Sequence, residues 1–153
     1  TSFTNQGNNR VLTRDGTDGV TCEDNLEFNG STLTVTGSQT VSGTITCNGN
    51  ITAFNSDIRL KTAIQPIENA VAKVLKLNGF TYELNELAET LGYELDGERY
   101  AGVSAQDVKE VLPEAVKPAP ASADYMTVQY EKLVPLLIEA IKELKSEIEE
   151  LKK

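Results

Sequence analysis

The first 55 residues hold too few apolar side chains, too thinly spread, to close a core within one chain. Glycine stands at positions 7, 16, 19, 30, 37, 43 and 49. Between the glycines run short alternating stretches: Leu26-Glu27-Phe28, Leu33-Thr34-Val35-Thr36, Val41-Ser42, Thr44-Ile45-Thr46-Cys47 and Ile51-Thr52-Ala53. Threonine and β-branched residues at period two predict strands, and the Asn-Gly and Thr-Gly steps predict tight turns. A strand array that cannot bury its own apolar face needs repeats or partner chains. The expectation for residues 1–55 is an intertwined, oligomeric β-structure such as the shaft of a fibre; the alternative is a disordered polar linker.

From Ser56 onward the pattern becomes that of a compact α+β unit, expected over residues 56–153. Pro66 suits a first helical turn, Ile67, Val71, Val74 and Leu75 recur at helical spacing, and Asn78-Gly79 supplies a stop. Phe80-Thr81-Tyr82-Glu83-Leu84 alternates as a strand. Residues 86–91 predict a short helix ended by Gly92. Tyr93-Glu94-Leu95 and Arg99-Tyr100-Ala101 flank Asp96-Gly97, which predicts a hairpin. Ser104-Ala105-Gln106-Asp107 reads as a capped helix start, with Val108, Val111 and Leu112 on the buried side and Pro113 as the stop. Residues 117–123 predict a surface loop, and Tyr125-Met126-Thr127-Val128 a returning strand.

The tail carries the clearest period. Val134, Leu137, Ile141, Leu144, Ile148 and Leu151 are spaced 3, 4, 3, 4, 3, a heptad with β-branched residues at a and leucine at d. Glu147 at g and Lys152 at e suit an interchain pair. The a/d choice leans toward two strands, while Ile138 at e widens the apolar face toward a higher oligomer. The heptads alone leave the number open. The expected helix spans about residues 131–153 and faces a partner; the alternative is a helix docked on its own domain.

Composition excludes several chemistries. The net charge is −9; two of the 14 basic and five of the 23 acidic side chains fall in residues 1–55, giving −3 there and −6 in the remainder. Neither part offers a basic stripe, so no nucleic-acid partner is expected. No apolar run reaches a membrane span, so no membrane partner is expected either. The chain has no histidine, which removes the Ser-His-Asp triad, the Cys-His pair and the usual zinc sites. Cys22 and Cys47 match no metal or redox spacing and are expected to be small buried or half-buried residues. No cofactor and no metal are expected. Because the chain begins at Thr1 rather than methionine, it is expected to be a piece of something longer.

One nucleophile-base pair survives these exclusions. In Asn55-Ser56-Asp57-Ile58-Arg59-Leu60-Lys61, a serine stands five residues before a lysine, and such a pair can act without histidine. On a straight strand, residues five apart point to opposite faces. The two must therefore meet across a bend or across chains. The bland reading makes Ser56 or Asp57 the cap of a turn or helix start.

Four stretches then carry a resemblance: Ser56-Asp57-Ile58-Arg59-Leu60-Lys61; Phe80-Thr81-Tyr82-Glu83; Gly102-Val103-Ser104-Ala105-Gln106-Asp107-Val108 with Val111-Leu112-Pro113-Glu114-Ala115-Val116; and Leu133 to Leu144. In this order they make residues 56–153 resemble the self-cleaving intramolecular chaperone domain at the C-terminus of bacteriophage tail spikes, tail fibres and endosialidases. A related domain occurs in myelin regulatory factor. The resemblance implies a homotrimer in which these domains help an upstream β-stalk of the same polypeptide to fold. The chain is then cut before the serine, in the host cytoplasm during assembly, leaving the stalk in the virion tail fibre. Carried over by position, Ser56 is the nucleophile, Lys61 its base and Asn55–Ser56 the scissile bond. Asp57 matches too, either ordering the turn or pairing with a base. Arg59 and Gln106 match as structural supports. The competing expectation is a permanent trimerisation cap or adhesin tip without cleavage; a dimeric coiled-coil regulator ranks third.

Overall fold

In the computed structural model, residues 3–4, 10–15, 19–41, 43–53 and 55–153 are described. The chain divides into two compact units, Thr1–Thr52 and Ala53–Lys153, and its architecture is mixed α+β.

The first unit is built on one long strand. Strand β1 (Phe3–Thr4) runs parallel to β3 (Gly19–Phe28), and β2 (Arg10–Asp15) pairs with β3 antiparallel, with an irregular register between Arg10 and Leu12. Strand β4 (Leu33–Val35) folds back on the end of β3, placing Leu26 opposite Val35 and Phe28 opposite Leu33. The predicted Asn-Gly turn is present between them. The Asn29 carboxamide oxygen accepts from the Ser31 and Thr32 amides at 3.0 and 2.9 Å, and Gly30 adopts φ +98°, a conformation that glycine enters without a Cβ penalty.

Beyond Thr36 the strand expectations fail. Val41, Thr44–Cys47 and Ile51–Ala53 form no strand and are exposed, Ile45 at 70% and Ile51 at 75%. No neighbouring strand offers these residues a ladder, and a lone strand leaves its amides unpaired. Ser42 and the turn positions Gly7 and Gly16 lie outside the described residues. Cys22 is buried as expected, whereas Cys47 is exposed, its thiol donating to the Gly49 carbonyl.

The second unit has a core of its own. In chain order it contains α1 (Ala70–Val74), β5 (Gly79–Tyr82), α2 (Glu86–Thr90), β6 (Tyr100–Val103), α3 (Ala105–Val111), β7 (Val116–Pro118), β8 (Met126–Val128) and α4 (Leu133–Leu151). Ala70, Val108, Val111, Leu112, Ala115, Leu136 and Ala140 form the buried cluster, with Ile67, Val71, Val74, Val103 and Leu133 packed around it. Helix α3 begins as its sequence suggests, with the Ser104 hydroxyl accepting from the Asp107 amide. Helix α2 ends at Gly92, which takes φ +89°.

Three local expectations are corrected. Residues 64–68 are not helical; α1 starts only after Asn69, whose left-handed φ of +53° cannot lie inside a right-handed helix. No hairpin forms across Asp96-Gly97, because β6 pairs antiparallel with β5 instead, setting Phe80 opposite Gly102 and Tyr82 opposite Tyr100. Gly97 still turns the chain, at φ +70°. Lys117 and Pro118 belong to a strand rather than to the loop, since β7 finds β8 as its partner.

Helix α4 presents two faces. Leu136 (0% exposed) and Ala140 lie in the core. The heptad residues Val134, Leu137, Ile141, Leu144, Ile148 and Leu151, with Ile138, are all exposed, Ile141 at 66%. Docking on its own domain and facing outward with the heptads are therefore not alternatives; different faces do each.

Candidate active site

The Ser56–Lys61 segment lies at the start of the second unit and contains a single 3₁₀ turn, Ile58–Leu60. Its backbone closes with the Leu60 amide donating to the Asp57 carbonyl and the Lys61 amide to the Ile58 carbonyl, both at 3.1 Å. Fully extended, five residues would separate the two α-carbons by roughly 16 Å. The turn brings the side chains together instead: Lys61 Nζ donates to Ser56 Oγ at 3.0 Å. Of the two routes open to this pair, the bend within one chain is the one present here.

Asp57 caps the turn. Its Oδ1 accepts from the Arg59 amide at 2.9 Å and from Arg59 Nε at 3.0 Å, while Oδ2 accepts from the same guanidinium at 2.6 Å. This fork holds the Asp57 carboxyl below its ordinary pKa, chiefly through the Arg59 hydrogen bonds with a smaller contribution from the Lys61 charge. Correspondingly the guanidinium is pushed up by the carboxylate. Asp57 thus orders the turn, and Arg59 is engaged by Asp57 rather than by Lys61.

Ser56 and Lys61 are both exposed, as are their neighbours Ile58 (64%) and Leu60 (69%). Asn55 turns its carboxamide oxygen toward the Asp57 amide, at 3.5 Å. Gln106 lies elsewhere, its Oε1 accepting from the Ser104 hydroxyl beside the α3 cap.

Two contacts escaped sequence reasoning. Glu143 of α4 reaches across to α1, its two carboxylate oxygens accepting from the Ala70 and Val71 amides, each at 2.8 Å. These bonds depress the Glu143 pKa, with Lys73 adding a smaller push. The signal was present: Leu133, Leu136, Ala140 and Glu143 form a second 3, 4, 3 row on α4, in which an acid replaces an apolar residue. Second, the Tyr130 hydroxyl accepts from the Val103 amide at 3.3 Å and lies over Gly102, where a Cβ would come within 2.8 Å of it.

Among the described residues, no group of three or more His, Cys, Asp or Glu side chains is placed to hold a metal ion, and no helix is long and apolar enough to cross a membrane.

Residues 56–117 match the peptidase family described as chaperone of endosialidase. The chain is 44% identical over 108 residues to the long tail fiber protein Gp37 of Enterobacteria phage K3, and equally to that of Enterobacteria phage T2; each match takes in 67% of this chain and 8% of the relative. To the Gp37 protein of Enterobacteria phage Ox2 it is 36% identical over 109 residues, 69% of this chain and 42% of that one. The chain thus spans less than half the length of these relatives.

Proposed function

We propose, from the match of residues 56–117 to the chaperone-of-endosialidase family and the likeness of the chain to phage long tail fiber proteins, that this chain joins a fibre segment, residues 1–55, to a self-releasing folding chaperone, residues 56–153. Three copies associate through the outward face of α4, the chaperone units help the preceding β-segment to intertwine, and the Asn55–Ser56 bond is then cut. Assembly takes place in the host cytoplasm; the fibre segment goes to the virion tail and the chaperone leaves. The observation that carries the proposal is the 3.0 Å contact between Lys61 Nζ and Ser56 Oγ, at the start of the matched region.

Lys61, as the neutral amine, takes the Ser56 hydroxyl proton as Oγ attacks the Asn55 carbonyl carbon. The tetrahedral centre collapses by breaking the C–N bond, the Ser56 amine leaves with a proton, and an ester joins Asn55 to Oγ. Water opens the ester, giving an Asn55 carboxylate and restoring the hydroxyl. A hydroxyl from another copy could attack the same carbonyl. Each chain cuts once.

A free lysine has a pKa near 10.4 and is almost wholly ammonium at neutral pH. A lysine becomes a base there only when burial or a neighbouring cation lowers that value toward roughly 7–8. In the single chain Lys61 is exposed, and Arg59, two residues before it, is engaged by Asp57. Covering Ile58 and Leu60 in the assembly would remove water from Lys61, so association gates the chemistry. The same exposure favours the second reading, a permanent trimerisation cap in which Ser56 and Lys61 merely share a hydrogen bond.

Mass spectrometry of the expressed chain separates the two. Cleavage yields a C-terminal piece beginning at Ser56, and Ser56→Ala or Lys61→Ala keeps the chain whole. A Ser56→Ala chain still split before residue 56 would refute the assignment of the nucleophile; a wild-type chain that assembles and stays whole favours the cap.

A further inference from the structure

We infer that the Asp57–Arg59 fork is the positioning device of the cleavage site, setting Lys61 against Ser56 through the backbone turn and taking no part in proton transfer. The inference rests on the Ser56–Lys61 reading above and assigns what holds that pair in register.

Three features carry it. The contact between Ser56 and Lys61 exists only because residues 58–60 turn, and Asp57 fastens that turn at both ends. Its backbone carbonyl accepts from Leu60, and its Oδ1 from the Arg59 amide. Arg59 in turn fixes the Asp57 rotamer by a two-point fork, Nε onto Oδ1 and the terminal guanidinium nitrogen onto Oδ2, a geometry that lysine cannot supply from a single nitrogen. Finally, both carboxylate oxygens of Asp57 are occupied by Arg59, whereas Lys61 Nζ bonds Ser56 Oγ. Asp57 is therefore placed to shape the loop rather than to orient the amine directly, as the third member of a triad would.

Scale separates this role from a general structural one. An exposed ion pair contributes little to global stability, and Arg59 is 84% exposed. Misplacing a nucleophile-base pair by about 1 Å, in contrast, can slow a reaction by up to about a hundredfold.

The test is the single-turnover cleavage rate of the full 153-residue chain, followed across pH with sizing of every variant. Asp57→Ala is expected to slow cleavage by about 10- to 100-fold at its pH optimum, with the same displacement of the pH midpoint as Asp57→Asn, since both remove the charge beside Lys61, and with unchanged thermal midpoint and oligomer size. Asp57→Asn keeps an acceptor for the Arg59 amide but loses the two-point fork, so its rate should lie between those of Asp57→Ala and wild type. Arg59→Lys should be slower than wild type and faster than Arg59→Ala.

Asp57→Asn as slow as Asp57→Ala would overturn the inference by showing that cleavage needs the carboxylate charge rather than the hydrogen bonds that hold the turn. Asp57→Ala cutting at the wild-type rate overturns it as well. Failure of the underlying reading looks different: there Ser56→Ala continues to cut, whatever Asp57 does.

Discussion

The two units of the chain differ in what they can bury. In the first, Cys22 is the one buried residue among those whose burial is described, while Leu12, Phe28, Leu33, Ile45 and Ile51 face solvent. The second encloses seven buried apolar residues, two of them on α4 itself. Apolar area removed from water is the dominant favourable term in folding, and the exposed apolar residues of the first unit gain little of it. Under the proposed function this difference gives chaperoning its direction: the unit with its own core folds first, and the preceding unit follows it.

The broadest way to break this comparison is to separate the units. Residues 53–153 alone should melt cooperatively by circular dichroism, whereas residues 1–52 alone should show no cooperative transition. A sharp transition in the isolated first unit would remove the reason for a chaperone. Next in size is Leu136→Ala. That side chain is fully buried, and its truncation should cost about 2–5 kcal/mol in a denaturant titration of the second unit.

Ile141→Glu tests the other face of the same helix. The residue is exposed in the single chain, so the helical signal should persist, while light scattering should show the assembly dissociating with at least about a hundredfold weaker association. Cleavage should fall with it, if assembly gates the site.

Glu143→Gln probes the tie between α1 and α4. The Glu143 pKa is depressed in the folded state, so the charged cap stabilises above the ordinary value of 4.5 and that contribution is lost as pH falls through the depressed value. The variant should melt a few degrees below wild type at pH 7, and the gap should close progressively below about pH 4.5. A gap that persists at low pH would mean that packing, not charge, is what the substitution removes. Smallest is Gly102→Ala. The added Cβ must displace the Tyr130 hydroxyl from the Val103 amide, but that ring is exposed and can swing away, so about 1 kcal/mol is expected.

Much of the second unit was legible because its elements are punctuated locally. The Ser104 cap, the Gly92 stop and the Pro113 stop each act within a turn of the chain, and each is found where expected. The Asp96-Gly97 hairpin misled for the opposite reason: Asp-Gly specifies a turn, but strand pairing is decided by which partner lies alongside, and for β6 that partner is β5, some twenty residues earlier. Residues 64–68 carry helical spacing without helix, since Ile67 meets the core while Asn69 turns left-handed. In the first unit, periodicity at 44–47 and 51–53 marks a capacity for pairing that a single chain does not satisfy.

Sequence alone determined the composition break near Ser56, the outward heptad of α4 and the identity of a serine-lysine pair free of histidine, because each depends on residue type and spacing along one stretch. Only the tertiary structure decided that this pair meets across a 3₁₀ turn within one chain, that Asp57 spends its carboxylate on Arg59, and that Glu143 caps a helix some seventy residues upstream. Those outcomes depend on backbone dihedrals and on which distant groups arrive together, and hydrogen bonds formed at about 3 Å are set by that arrival rather than by any local pattern.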